Sequence, residues 1–204
     1  QYNRKPTGMV SVNGVLYLAV QDLKYGSGAF DDAPNATILK STDKGATWTY
    51  NTSVPMFKNY VFTTIFFLDF GKDGVDNVPG STDDDYVYAY GLDNNWRDSF
   101  CNSVQDPTKL YLARIPRTSD LQNINNWQFW TGGLDGANPS WSAGGDINAK
   151  KPVLQDDTRV YSKVTPGFPK DRIRDMTTLS QGSVVYNKGL DRYIYCSWTE
   201  YTFE

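Results

Sequence analysis

Short apolar runs, alternating or continuous, recur along all 204 residues between clusters of Gly, Asn, Asp and Pro, and helical periodicity is almost absent. A chain patterned this way must bury its apolar side chains on sheets, so the fold class it predicts is all-β. The strand candidates are Met9–Val12, Val15–Val20, Thr37–Lys40, Trp48–Asn51, Phe62–Asp69, Tyr86–Tyr90, Leu110–Ile115, Trp127–Thr131, Ser183–Tyr186 and Arg192–Trp198. Val12-Asn13-Gly14-Val15 reads as a tight hairpin, because Asn-Gly tolerates the positive φ angles of such a turn. Asn187 to Asp191 is a longer version of the same device.

The strands repeat. A first unit takes the first four candidates and a second unit the next four. In each, a Tyr-bearing second strand is followed by a long polar loop, a third strand and a Trp that opens the fourth. A third unit begins with the last two candidates. Four-stranded units repeated around an axis are the blades of a β-propeller, and closure needs at least about four of them. The expectation is therefore a propeller of four-stranded antiparallel blades, of which this chain supplies about two and a half. Residues 1–204 form one partial domain: blade 5–55, blade 60–132, a long connection 133–180 and the start of a next blade at 181–204. Open sheet edges and an exposed inter-blade face would follow, so further polypeptide is expected to complete the ring. That polypeptide is more of the same sequence, a second chain, or another fragment of a nicked molecule. A β-sandwich with long loops is the alternative architecture.

Composition narrows the function. The longest apolar run, Val61 to Phe70, is broken by Thr63, Thr64 and Asp69 and falls short of the ~20 residues of a spanning helix, so no membrane insertion is expected. With 20 basic against 23 acidic residues, a formal charge of −3 and scattered Lys and Arg, no nucleic-acid partner is expected. The chain has no histidine, which excludes Ser-His-Asp and Cys-His nucleophile systems, His-ligated zinc and imidazole bases. Acid–base chemistry would have to use Asp, Glu, Tyr, Lys or Arg. Cys101 and Cys196 can form one disulfide or remain buried thiols. Residue 1 is Gln and no signal segment precedes it, which reads as a processed or partial product. The sequons Asn35-Ala36-Thr37 and Asn51-Thr52-Ser53 make Asn35 and Asn51 glycan acceptors and point to a secreted, extracellular protein.

Ser41-Thr42-Asp43-Lys44-Gly45-Ala46-Thr47-Trp48 matches the Asp-box, Ser-x-Asp-x-Gly-x-x-Trp, at every defined position. The carboxylate of Asp43 can accept N–H bonds in the turn, Gly45 permits positive φ and Trp48 packs on the blade just entered, so Ser41, Asp43, Gly45 and Trp48 read as structural. Lys5-Pro6-Thr7-Gly8-Met9, Gly14-Val15-Leu16-Tyr17-Leu18, Ala33-Pro34-Asn35-Ala36, Leu110-Tyr111-Leu112-Ala113-Arg114-Ile115-Pro116 and Ser183-Val184-Val185-Tyr186-Asn187 extend the match over nearly the whole chain. Together they resemble a family of secreted bacterial and fungal β-propellers allied to endo-D-arabinanases and other five-bladed glycoside hydrolases. The resemblance implies five blades and a carbohydrate partner. It also implies that the family's catalytic acids lie in a blade ahead of the segment matching Lys5, so none carries over to a residue here. Ala113-Arg114-Ile115-Pro116 looks like the Arg-Ile-Pro of sialidases, but it ends a third strand and reads as a packing arginine.

Alternating strands would place the second-to-third strand loops and the blade connections on one face, where function is expected. The loop Gln21 to Asn35 carries Asp22, Tyr25, Phe30, Asp31 and Asp32. Gly91 to Lys109 carries Asp93, Asn94, Asn95, Trp96, Arg97 and Asp98, and the connection from Thr131 to Gln181 adds Trp141, Asp146, Asp156, Asp157, Arg172, Arg174 and Asp175. Rings that stack on sugars, with Asp, Asn and Arg to bond hydroxyls, suit carbohydrate. Hydrolysis of a glycosidic bond needs two carboxyls roughly 5–10 Å apart, and Asp22 and Asp93 are the preferred acids, each closely following an apolar second strand. Gln21, Trp96, Arg97, Trp141 and Gln181 are the expected binding residues, for hydrolysis of an extracellular polysaccharide or, as the alternative, for non-catalytic, lectin-like glycan binding. No cofactor is expected; Asp69 to Asp76 lacks the third-position ligand and closing Glu of a calcium loop, so any calcium there would be structural.

Overall fold

In the computed structural model, the structure describes residues 2–24, 33–69, 85–93, 107–133, 138–162 and 174–197. The first meander is β1 (Tyr2–Val12), β2 (Val15–Lys24) and β3 (Asn35–Ser41), antiparallel throughout. Its hairpin turns at Asn13 and Gly14, both with positive φ. The second meander is β4 (Thr64–Asp69), β5 (Tyr86–Leu92), β6 (Lys109–Pro116) and β7 (Gln128–Gly132), again antiparallel. Four short strands follow: β8 (Ser140–Trp141), β9 (Pro152–Gln155), β10 (Arg159–Ser162) and β11 (Arg174–Thr177). The hairpin β12 (Gly182–Asn187) and β13 (Arg192–Ser197) ends the described chain. β12 runs parallel to β4, so one sheet follows the order β13-β12-β4-β5-β6-β7-β8, with β9 on the edge of β6. The protein is all-β, and among the described residues there is no α-helix and no closed ring of blades.

Layering follows from strand alternation. Tyr17, Ala19, Ala36 and Ile38 of the first meander share one buried cluster with Ile65, Phe67, Val87, Ala89, Tyr111, Ala113, Ile115, Trp127 and Phe129 of the second. The intervening residues Phe66, Leu68, Tyr88, Leu92 and Leu110 face the other way and pack with Leu179, Val184 and Tyr195. The second meander is thus covered on both faces, and β4 is buried along nearly its whole length. Phe66 is stacked between Tyr90 at 6.2 Å and Tyr195 at 5.9 Å, which ties the second meander to β13. β1 crosses β4 at Gly8, where a Cβ would lie 2.8 Å from the Phe66 Cα, so only glycine lets the two backbones meet.

Two predicted elements differ. Trp48–Asn51 is not a strand: Thr49 makes a single bridge to Lys40, and the next contact with β3 is Phe57 on Ala36. Three residues of β3 lie between these bridges and seven lie opposite, so the extra length bulges away from the edge. Trp48 is half-buried over Gly45, whereas Trp127 is fully buried with its indole N–H donating to the Leu121 carbonyl at 2.9 Å. The connection 133–180 carries β8 to β11 instead of running as one long loop, and β9 takes the β6 edge that the short β7 leaves open. Cys196 is a free, exposed thiol, neither bonded nor buried; Cys101 lies outside the described residues.

The Asp-box is a closed network. The Thr47 N–H and hydroxyl donate to Asp43 at 2.8 and 2.6 Å, the Ser41 hydroxyl donates to Asp43 at 2.7 Å, and the Gly45 N–H donates to Ser41 at 2.9 Å. These bonds, led by the Thr47 hydroxyl, hold the Asp43 carboxyl down to about 2.

Candidate functional site

Polar side chains are scarce in the sheet core, and five of the eight buried ones described lie in or near β1, β2, β4 and β12. Thr7 on β1, Gln21 on β2, Thr63 and Thr64 at the start of β4 and Ser180 just before β12 are all buried. Thr7 sits at a bulge where the β1–β2 register shifts between Pro6 and Gly8. The Thr64 hydroxyl donates to Gln21 Oε1 at 3.0 Å, and Gln181 Nε2 donates to the Thr7 carbonyl at 3.1 Å. Ser180 lies just before β12, and the Tyr195 hydroxyl of β13 donates to its carbonyl. Residues in or beside β1, β2, β4 and β12 thus make up the cluster. Gln21 is fully buried, and its Nε2 has no hydrogen-bond partner among the described residues. A buried donor left unbonded costs about 1–3 kcal/mol, so the amide marks a place where an acceptor fits.

The two candidate acids flank this cluster. Leu92, next to Asp93, pairs with Thr64, and Gln21, next to Asp22, bonds to it. β2 continues past Val20 to Lys24, so Asp22 lies in a strand, and alternation turns its side chain away from the face that Gln21 uses. There Arg4 Nε donates to Asp22 Oδ1 at 3.0 Å, while the same guanidinium reaches the Tyr50 hydroxyl. Asp93 Oδ1 accepts the Phe62 N–H at 2.8 Å, and its Oδ2 pairs with Lys150 at 3.1 Å. Lys150 in turn lies 4.2 Å over the Tyr111 ring, and burial, with Asp93 beside it, pushes the Tyr111 hydroxyl up to about 12. Phe62 has φ +55, in a stretch where Asn59 and Tyr60 are also left-handed, so the Asp93 carboxylate clasps strained backbone.

The remaining predicted residues separate. Trp96 and Arg97 lie outside the described residues, as do Tyr25, Phe30, Asp31, Asp32 and nearly all of the Asp69–Asp76 loop. Gln181 belongs to the cluster, its amide committed to Thr7. Trp141 does not: Arg114 lies 4.1 Å over its ring and 4.0 Å over Tyr86, with Arg114 Nε donating to Gln128, so one face of the predicted sugar platform is covered by a packed guanidinium. Asn35 pairs with Asp22 across β2–β3 and is half-buried, whereas Asn51 is exposed. Asp156 accepts from the Thr158 N–H and the Thr178 hydroxyl. Among the described residues no group of three metal-ligating side chains occurs, and no helix is long and apolar enough to cross a membrane.

Sequence reasoning missed Thr7, Thr63, Thr64 and Ser180. The signal for two of them was present: Thr63 and Thr64 are the paired polar residues that interrupt the longest apolar run. Hydroxyls and carboxamides dominate the cluster, and the nearby charges are bonded in pairs, Asp22 with Arg4 and Asp93 with Lys150. Such a set can position a neutral, hydroxyl-rich molecule. The class this defines is an all-β protein of stacked antiparallel meanders with a polar cluster where their opening strands converge. No family model matches the chain, and no curated protein matches it significantly.

Proposed function

We propose that this chain is part of a secreted β-propeller that binds a neutral carbohydrate at the convergence of its opening strands. Two features of the layering support the propeller: the second meander is covered on both faces by its neighbours, and β4 and β12 run parallel side by side, as the inner strands of adjacent blades do. Further blades, five in all on the family resemblance, would cover the exposed Val185, Leu190 and Tyr193 of the last hairpin. The observation that carries the function is the orphaned Gln21 amide among Thr7, Thr64 and Gln181. A sugar hydroxyl oxygen would accept from it.

Non-catalytic binding is the better supported reading, because Asp22 and Asp93 are held by Arg4 and by Phe62 and Lys150. Glycoside hydrolysis by these two carboxylates is the second reading, favoured by their positions one residue from the partners of Thr64. The test is glycan-array binding and release of reducing ends by the full-length protein. Binding without turnover that survives Asp22→Asn and Asp93→Asn supports the first reading, and turnover lost in both variants supports the second. Gln21→Met removes the unbonded donor at nearly constant volume together with the Oε1 that accepts from Thr64, so it should abolish binding at a stability cost of only about 1 kcal/mol, that of the one bond lost. A large loss of stability would show that the amide is satisfied in the unliganded fold and would remove the basis of the site.

A further inference from the structure

A second feature lies on the outer edge of the first meander, away from the polar cluster. Ala36 and Lys40 exchange both of their main-chain bonds with Phe57 and Thr49, so Ile38, of the same parity, aims its N–H and carbonyl out of the same edge. The carbonyl accepts from Gln122 Nε2 at 2.8 Å, and that amide also reaches the Thr49 carbonyl at 2.8 Å. The Ile38 N–H has no partner among the described residues, although Ile38 is buried. Where the partner strand bulges away, a cavity of about 480 Å³ opens with Ile38 among its lining residues. Val54, Pro55, Met56 and Ile124 give it apolar walls, and Thr37, Asn51, Lys58 and Gln122 give it a polar rim. Its size is that of a site for a small ligand.

Asn51 is the first residue of a sequon, is exposed and lines this cavity. Its Oδ1 accepts the N–H groups of Ser53 and Val54 at 3.0 and 3.1 Å, which fixes the carboxamide and leaves Nδ2 without a partner among the described residues. We infer that Asn51 carries an N-linked glycan whose first sugars seat in the cavity, an acetamido oxygen accepting from the Ile38 N–H. Asn35 carries none: it is paired in β3 and half-buried beside Asp22, and the hydroxyl residue of its sequon, Thr37, is buried. In the transfer, Asn51 Nδ2 attacks the anomeric carbon of a lipid-pyrophosphate-linked oligosaccharide. The N–C bond forms, the C–O bond to pyrophosphate breaks, the lipid pyrophosphate departs with the electron pair and Nδ2 releases one proton. The inference rests on the secretory part of the proposed function and not on its sugar-binding cluster.

The test is expression of the chain behind a secretion leader in a eukaryotic host, with intact mass measured before and after enzymatic glycan removal. One glycan is expected, absent in Asn51→Gln and in Ser53→Ala and retained in Asn35→Gln. Ser53→Ala keeps the Asn51 side chain, so it guards against an effect of Asn51→Gln on folding. Secreted, folded protein bare at Asn51, or occupied at Asn35, overturns the assignment and leaves the sugar-binding reading standing. Amide exchange at Ile38 should be at least about tenfold slower in the glycosylated protein than in Ser53→Ala; equal rates overturn the seat in the cavity.

Discussion

Replacing Asp93 with alanine separates a structural carboxylate from a free one. The change removes the acceptor of the Phe62 N–H, which belongs to a fully buried residue and has no water to fall back on. An unbonded buried donor costs about 1–3 kcal/mol. The ion pair with Lys150 is lost as well, but the Asp93 side chain is 36% exposed, which limits that contribution to about 1 kcal/mol or less. The sum is about 1–4 kcal/mol, or a melting temperature lowered by roughly 2–16 °C for a chain of this length. Asp93→Asn keeps an oxygen for Phe62 and loses the charge alone, so it should cost about 1 kcal/mol or less, with a deficit that shrinks in high salt. Calorimetry or denaturant unfolding of the three proteins in one buffer measures both differences. If Asp93→Ala melts within about a degree of the parent protein, the carboxylate does not hold Phe62 in its left-handed conformation. The clasp would then be refuted, and Asp93 would return as a candidate for chemistry.

Gly8→Ala places a Cβ 2.8 Å from Phe66 Cα and 3.1 Å from Ile65 O and Phe67 N, all main-chain atoms, so it should destabilise by about 1–3 kcal/mol or more; Gly14→Asn, in open space at a tolerated positive φ, should be nearly neutral. Denaturant midpoints of the two variants check this. Asp43 is more acidic folded than unfolded, so its bonds contribute fully above the unfolded value of 3.8 and fade as pH falls towards about 2. Carboxyl chemical shifts followed through that window should show the low midpoint, and Thr47→Val should raise it. Trp127→Phe loses a buried bond to Leu121 and part of a filled volume, so it should cost about 2–4 kcal/mol, whereas Trp48→Phe should cost about 1 kcal/mol or less, as unfolding of each variant would show.

Alternation made the sheets legible. Tyr17, Ala19, Ile65, Phe67, Val87 and Ala89 all lie on faces that a period of two assigns to the core. The same rule lost β2 at Val20, because the next core-facing position is Gln21, whose polarity reads as the start of a loop. That misreading also placed Asp22 in a loop near the axis, when it stands on a strand facing Arg4. β8 to β11 have only two to four residues each, too few to show a period. The fourth strand of the first unit failed for a different reason. Trp48 marks its start, but Asn51 bonds back to Ser53 and Val54, and the chain turns off the edge before a ladder can form. Local side-chain bonds competed with the sheet and won.

The location of the polar cluster follows from the cost of burying it. β4 is covered on both faces, and from Ile65 to Leu68 every side chain is apolar and buried. A hydroxyl in that stretch would need a partner among the apolar side chains that cover both faces. At Thr63 and Thr64 the situation changes, because β1 bulges at Thr7, Gln21 reaches across from β2, and the segment leading into β12 brings Ser180 and Gln181. Partners therefore exist for β4 at this end, where Gln181 and Thr7, 174 positions apart, are hydrogen-bonded. Within the cluster, the Gln21 Nε2 donor has no partner among the described residues, and it points the search for a ligand to this end of the strands.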